Sequence, residues 1–169
     1  MVTVGLDTST WVGMARVEQQ DPEYYRGKGI HFEGVDGWRR VQLIANTVYD
    51  TLELWRPDLA IIENYALGMV KSPATIVTLV SIGSMIRSAL YNRNIPWIEV
   101  RPSTLKKWTT GKGNAKKPEM AAAVKERWGY VSPSDDVIDA FALAQYGQCL
   151  ALTGLNKLPT GVTHGNGSI

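Results

Sequence analysis

Leu59-Ala60-Ile61-Ile62-Glu63 is the stretch on which the reading of this chain turns. Four apolar residues follow Pro57 and Asp58 and run into a carboxylate with no turn signal between them, which predicts a buried strand ending on an acid. The chain opens with a second run of this kind: Val2 to Leu6 ends at Asp7. Trp11 to Val17 resumes the apolar pattern after Thr8, Ser9 and Thr10, so two strands joined by a tight turn are expected. Between the two acid-ended runs, Val41, Ala45, Val48, Leu52 and Trp55 recur at spacings of three and four, predicting an amphipathic helix from Trp38 to Trp55 stopped by Pro57. Strand, helix and strand in that order place the chain in the α/β class.

The rest of the sequence extends this pattern. Gly27 to Phe32 reads as a third, weaker strand before the Gly34 to Gly37 turn. Pro73 opens a second helix running through Leu90, apolar around more than one face and so expected to be covered on two sides. Trp97 to Val100 reads as a strand, Arg101 to Lys107 as a turn or short helix, and Ala115 to Trp128 as a basic helix closed near Gly129. Ser132 as N-cap, Pro133 in the first turn and Asp135 as the third-position acid predict the start of a last helix ending near Leu150. Residues 1–150 are expected to form one domain. Residues 151–169, rich in Gly, Thr and Asn, are expected to form a flexible tail.

Composition narrows the class. A chain of 169 residues, 44% hydrophobic and 20% charged, can bury a core without a disulfide or structural metal. The lone Cys149 is expected in the core of a protein from a reducing compartment. No run approaches the roughly 20 apolar residues of a membrane span and no signal peptide is recognisable, so a soluble cytoplasmic protein without a membrane partner is expected. His31 and His164 are too isolated to suggest zinc. The formal net charge is only +2, yet residues 101–127 hold eight basic residues against two acidic ones. That local +6 leaves −4 for the remainder, so the near-neutral average conceals a basic segment of the kind that meets phosphate.

Four acids stand out. Asp7 and Glu63 end strands, where open α/β sheets form their ligand crevices. Asp136 and Asp139, three residues apart, share one face of the last helix. A single Asp after a strand is commonly a turn residue, and Asp135 is explained by helix-start chemistry. Four acids facing a core are costly unless cations sit among them, and an oxygen-only donor set suits magnesium or manganese rather than zinc.

Val4-Gly5-Leu6-Asp7, Ile61-Ile62-Glu63, the run Asp136 to Ala144 and the segment Leu105 to Lys117 together resemble the RuvC family of Holliday junction resolvases, within the RNase H-like nucleases. The resemblance spans Val2 to about Leu150, and the basic segment around Gly111 and Gly113 is its most specific part. It implies an RNase H-like fold with a mixed five-stranded sheet flanked by helices. It also implies two Mg2+ ions per active site, replaceable by Mn2+, held by Asp7, Glu63, Asp136 and Asp139. Lys106 and Lys117 would act beside these acids at the phosphate being cut, giving 5′-phosphate and 3′-hydroxyl ends. Tyr65, Lys107, Lys112 and Lys116 complete the expected DNA contacts. A homodimer, matched to the two-fold symmetry of a four-way junction, would make the paired cuts. A bacterial cell, or a phage within it, is the expected setting.

The chain departs from the family where Thr8-Ser9 replaces Pro-Gly, where Gly13 comes one residue early, and where Ala66 replaces a wedge aromatic, leaving Tyr65 as the nearest ring. A broader branched-DNA nuclease of viral type and a non-catalytic junction-binding protein are the alternatives. A sugar kinase or ATPase with a related first loop is excluded by length and by the lack of an adenosine motif, so no nucleotide cofactor is expected. Trp108 is read as packing, although its neighbour Lys107 would also suit a DNA face.

Overall fold

The computed structural model describes residues 1–19, 21–65, 72–154 and 162–164, with backbone only for 22–24 and 162–164. The strands are β1 (Val2–Asp7), β2 (Val12–Glu18), β3 (Asp21–Ile30), β4 (Leu59–Glu63), β5 (Trp97–Val100) and β6 (Val162–His164). The helices are α1 (Gly37–Trp55), α2 (Pro73–Asn92), α3 (Pro102–Thr110), α4 (Lys117–Trp128) and α5 (Asp135–Leu152). The expected five-stranded mixed sheet is present in the order β3-β2-β1-β4-β5, and β6 adds a short antiparallel strand at its edge. β1 runs antiparallel to β2 and parallel to β4, and β4 runs parallel to β5.

Alternation along the strands divides the core into two layers. Val4, Leu6, Ala60, Ile62 and Trp97 point to the face covered by α1 and α2. Leu59, Ile61, Ile98 and Val100 point to the face covered by α3, α4 and α5. α5 lies against β1 so closely that a Cβ on Gly5 would collide with the Ala140 carbonyl. One on Gly13 would collide with the Asp136 carbonyl. Glycine is required there because helix backbone, not side chain, occupies the space.

Several boundaries differ from the sequence reading. β3 starts at Asp21, earlier than Gly27, because its register with β2 continues past a bulge between Val17 and Glu18. α5 is capped by Ser134, whose hydroxyl accepts the Val137 N–H at 3.4 Å, and not by Ser132. Asp135 and Asp136 therefore both stand in the first turn, where the helix dipole favours negative charge. The helix continues through Leu152, so two residues assigned to the tail belong to it, and Val162–His164 of that tail pair with β5. Thr153 caps the helix, and residues 155–161 and 165–169 of that tail lie outside the described residues.

α2 departs most. It is the one described helix long and apolar enough, by length and composition alone, to cross a membrane, contrary to the expectation that no run would qualify. Its second half packs Ile82, Ile86 and Leu90 into the core. Its first half, expected to be covered, leaves Val77 65% and Val80 38% exposed.

Candidate active site

Parallel register brings the first two acids together. Leu6 pairs with Ile62, and the next residues on these neighbouring strands are Asp7 and Glu63. Because Leu6 and Ile62 point to the α1/α2 face, alternation turns both acids toward α5. The Thr8 hydroxyl donates to the Glu63 carbonyl at 3.2 Å, tying the two strand ends. α5 starts directly above: Asp136 lies over Gly13, the cross-strand partner of Asp7. Asp139 follows one turn later on the same face.

The electrostatics record this convergence. Burial, reinforced by the neighbouring carboxylates of Glu63, Asp139 and Asp136, holds Asp7 well above the usual carboxylate range. Burial and the Asp139 charge push Glu63 up to about 7, against an opposing pull from Lys106. Asp139 is pushed up to about 6 by burial, again opposed by Lys106, with Asp136 adding repulsion. Asp136 is raised by burial and relieved by Lys117 and Ser9. The Asp7 and Glu63 carboxyls also act on each other as hydrogen-bond partners, which raises Asp7 and lowers Glu63. Burial leads each shift and repulsion among the acids adds to it, and a cation bound among them would oppose both. Among the described residues no three acidic, histidine or cysteine side chains are gathered tightly enough to enclose an ion by themselves. The donor chemistry nevertheless fits a hard divalent cation that keeps waters and takes one or two carboxylates plus phosphate oxygens.

The expected basic residues take distinct places. Lys106, on α3, is half-buried and acts electrostatically on Glu63 and Asp139. Lys117 opens α4, is 66% exposed, and reaches Asp135 at 3.2 Å. That hydrogen bond raises the Lys117 ammonium above its ordinary value. Lys106, Lys116 and Lys117 border an open recess of about 710 Å3 with Arg101, Asn114 and Tyr65. Lys107 is exposed on α3, and Lys112 is exposed and paired with Glu119 at 3.3 Å. Lys116 also donates its backbone N–H to Glu119, closing the start of α4.

Other motif residues have structural duties. Gly111 ends α3 at φ +83, a left-handed cap that accounts for this glycine without a phosphate. Gly113 lies against the Ser103 carbonyl. Trp108 is packed against Trp128 and Tyr146, and Arg127 lies over its ring while donating to the Trp108 and Thr109 carbonyls. Arg127 thus closes the end of α3. Cys149 is only partly buried on α5 rather than in the core.

Tyr65 is docked against α2. Its hydroxyl accepts from Arg87 Nη1 at 3.0 Å and sits where a Cβ on Gly83 would be. Arg87 is itself fixed by Glu99 at 2.8 Å. Ala66, the position of the missing wedge, lies outside the described residues. Sequence reading missed two residues here. Ser9, noted only as a departure, donates its N–H to Asp7 Oδ1 at 3.2 Å and its hydroxyl to Asp136 Oδ1 at 3.4 Å. The Asp-x-Ser spacing of an Asx turn was the available signal. Asp135, set aside as a helix-start acid, holds Lys117.

Comparison with known proteins places this arrangement. The chain is 28% identical over 116 residues to the crossover junction endodeoxyribonuclease RuvC of Prochlorococcus marinus (strain MIT 9303), covering 68% of this chain and 73% of that protein. It is 32% identical over 114 residues to RuvC of Synechococcus sp. (strain WH7803), covering 66% and 71%. Its fold is similar to that of T. thermophilus RuvC in complex with Holliday junction substrate, with a TM-score of 0.76 at 21% identity over 91% of this chain and 96% of that one. The yeast mitochondrial Holliday junction resolvase shares the fold more distantly, with a TM-score of 0.57 at 14% identity over 84% and 75%. The family model for crossover junction endodeoxyribonuclease RuvC matches residues 7–146, from the first acid on β1 to the middle of α5, and the chain belongs to that family.

Proposed function

We propose that this protein cuts four-way DNA junctions by hydrolysing phosphodiester bonds in two symmetric places, with Asp7, Glu63, Asp136 and Asp139 holding two Mg2+ ions. The observation that carries this reading is the convergence of four carboxylates, all with raised proton affinity, beside a recess bordered by Lys106, Lys116 and Lys117. The family is one of divalent-metal-dependent nucleases acting on branched DNA. When bound, divalent ions supply an activated water and charge neutralisation at the leaving oxygen. Mn2+ would substitute, since the donors are all oxygen.

The protein's own groups do the rest. Asp7 and Glu63 are carried by the sheet, and Asp136 and Asp139 by α5, so the backbone framework of the site is formed before substrate arrives, and the side chains would draw together on the ions. Lys106 stands among the acids and stabilises charge on the phosphate as the bond breaks. Lys117, held by Asp135, and the exposed Lys107, Lys112 and Lys116 attract and position the DNA backbone. Tyr65, at the edge of the same recess, meets the bases near the crossover. The exposed apolar first half of α2 supports a homodimer, with one site for each strand cut.

The test is a labelled four-way junction incubated with and without Mg2+, alongside forks and flaps, using the unsubstituted protein and the Asp7→Asn and Glu63→Gln variants. Mg2+-dependent paired cuts, abolished in both variants while junction binding persists, are expected. Binding without cleavage by the unsubstituted protein would overturn the reading in favour of a junction-binding role.

A further inference from the structure

The hairpin between β1 and β2 carries an aromatic residue that no packing role explains. Trp11 is 48% exposed and belongs to neither core layer. One face of its indole lies on the His31 ring, with centroids 3.3 Å apart and planes 16° apart. The residue is nonetheless held in place. Its N–H donates to Ser9 Oγ at 3.1 Å, and the Ser9 hydroxyl in turn contacts both the Trp11 carbonyl and Asp136. From the other side Arg40 on α1 donates to the Thr10 carbonyl at 2.7 Å. A large apolar ring fixed in water, with its backing already supplied, is preorganised to receive a second flat ring.

Its surroundings identify that ring. Trp11 borders a recess of about 560 Å3 that shares Lys117 with the one beside Lys106 and whose other walls include Ser9, Asp135 and Asp136. One recess therefore offers a flat apolar surface, one of the four convergent acids and Lys117, an exposed cation that Asp135 holds at the rim. That combination matches a single nucleotide. Stacking on an aromatic side chain tolerates any base, because every base has a π face.

We propose that Trp11, backed by His31, is a stacking platform for an unpaired nucleobase adjoining the phosphate that is cut. This rests on the nuclease reading above and adds a base contact on the hairpin, at the opposite side of the acid cluster from Tyr65. Ser9 links the two functions, since the hydroxyl that holds the Trp11 turn also bonds Asp136.

The experiment uses four-way junctions carrying 2-aminopurine at positions on either side of the cut, bound to the full chain with Asp7→Asn to keep the DNA intact. Quenching at one position is expected, and it should be lost when Trp11→Ala is added. In the otherwise unsubstituted protein, Trp11→Ala should lower single-turnover cleavage about tenfold or more, with Trp11→Phe recovering most of it. The salt dependence of junction binding should stay unchanged, because no phosphate contact is removed. Thermal unfolding of each variant confirms that it folds, and Trp11→Leu against Trp11→Phe repeats the comparison if the alanine variant does not. Cleavage by Trp11→Ala at the unsubstituted rate, with the quench retained, would overturn the platform. Failure of the unsubstituted protein to cut any junction would instead overturn the function on which it rests.

Discussion

At the scale of single residues, the acids carry the strongest energetic signature. Glu63 rises from an ordinary 4.5 to about 7, and Asp139 from 3.8 to about 6. A carboxyl whose folded pKa lies above its unfolded one binds more protons when folded, so its contribution is present below the unfolded pKa and is lost as pH rises through the folded one. Metal-free protein should therefore lose stability between about pH 4 and pH 7. Mg2+ should raise Tm far more at pH 8 than at pH 5, and Glu63→Gln should raise Tm at pH 8 in chelator. Thermal unfolding with chelator or Mg2+ measures both, and an equal Mg2+ effect at the two pH values would count against these acids as ligands. The two lysines should separate as well. Lys106 is half-buried among the acids, whereas Lys117 is exposed and shared with Asp135. Single-turnover cleavage should fall about a hundredfold in Lys106→Ala and about tenfold in Lys117→Ala, each losing less junction affinity than rate. Losses in affinity that match those in rate would reduce both to general attraction.

At the scale of elements, the position of α5 on the sheet determines the site. Gly5 and Gly13 admit its backbone at one end. At the other, Gln148 Nε2 donates to the Met1 carbonyl and to Thr3 Oγ1, and the Thr3 hydroxyl donates to the Ala144 carbonyl at 2.9 Å. Gly5→Ala should destabilise by about 1–3 kcal/mol or more, since the new methyl meets main chain that cannot rotate away. Gln148→Leu should cost about 1–3 kcal/mol by stranding buried acceptors. Denaturant unfolding reads both, and Gly5→Ala should also lower cleavage, because a lifted α5 carries Asp136 and Asp139 away from Asp7. β1 and β4 were legible in the sequence because apolar runs ending on an acid have one reading in an open sheet, whereas the start of β3 and the short β6 were not. α1 was legible from its periodicity. The start of α5 was not, because Ser132 and Ser134 are both competent caps and only packing against Gly13 chooses between them. Nor was the Arg87 clamp on Tyr65, which joins α2 to the segment after β4, residues 22 apart in sequence. The four acids could be named from local pattern. Their company, Ser9, Asp135 and Trp11, depends on how the β1–β2 turn meets α5.

At the scale of the whole molecule, surface and topology decide how the sites are used. The first half of α2 presents Val77 and Val80 to solvent, and a second copy covering this face would set two active sites about one dyad. Val77→Glu combined with Val80→Glu should give a monomer by sedimentation, and should convert linear products of a cruciform plasmid into nicked circles. Linear products from a monomeric variant would separate the paired cuts from dimerisation. Topology adds a consequence in time. The Thr3 hydroxyl and the Ala144 carbonyl it bonds are 141 residues apart, and α5 supplies half of the acids. A chain emerging from the ribosome can pair β1 with β2 and β4, yet it holds only Asp7 and Glu63 until synthesis has passed residue 139. A partly made chain, or one clipped before α5, therefore lacks two of the four acids proposed to hold the metal. On the proposed function, a chain that stops before residue 139 is expected not to cut.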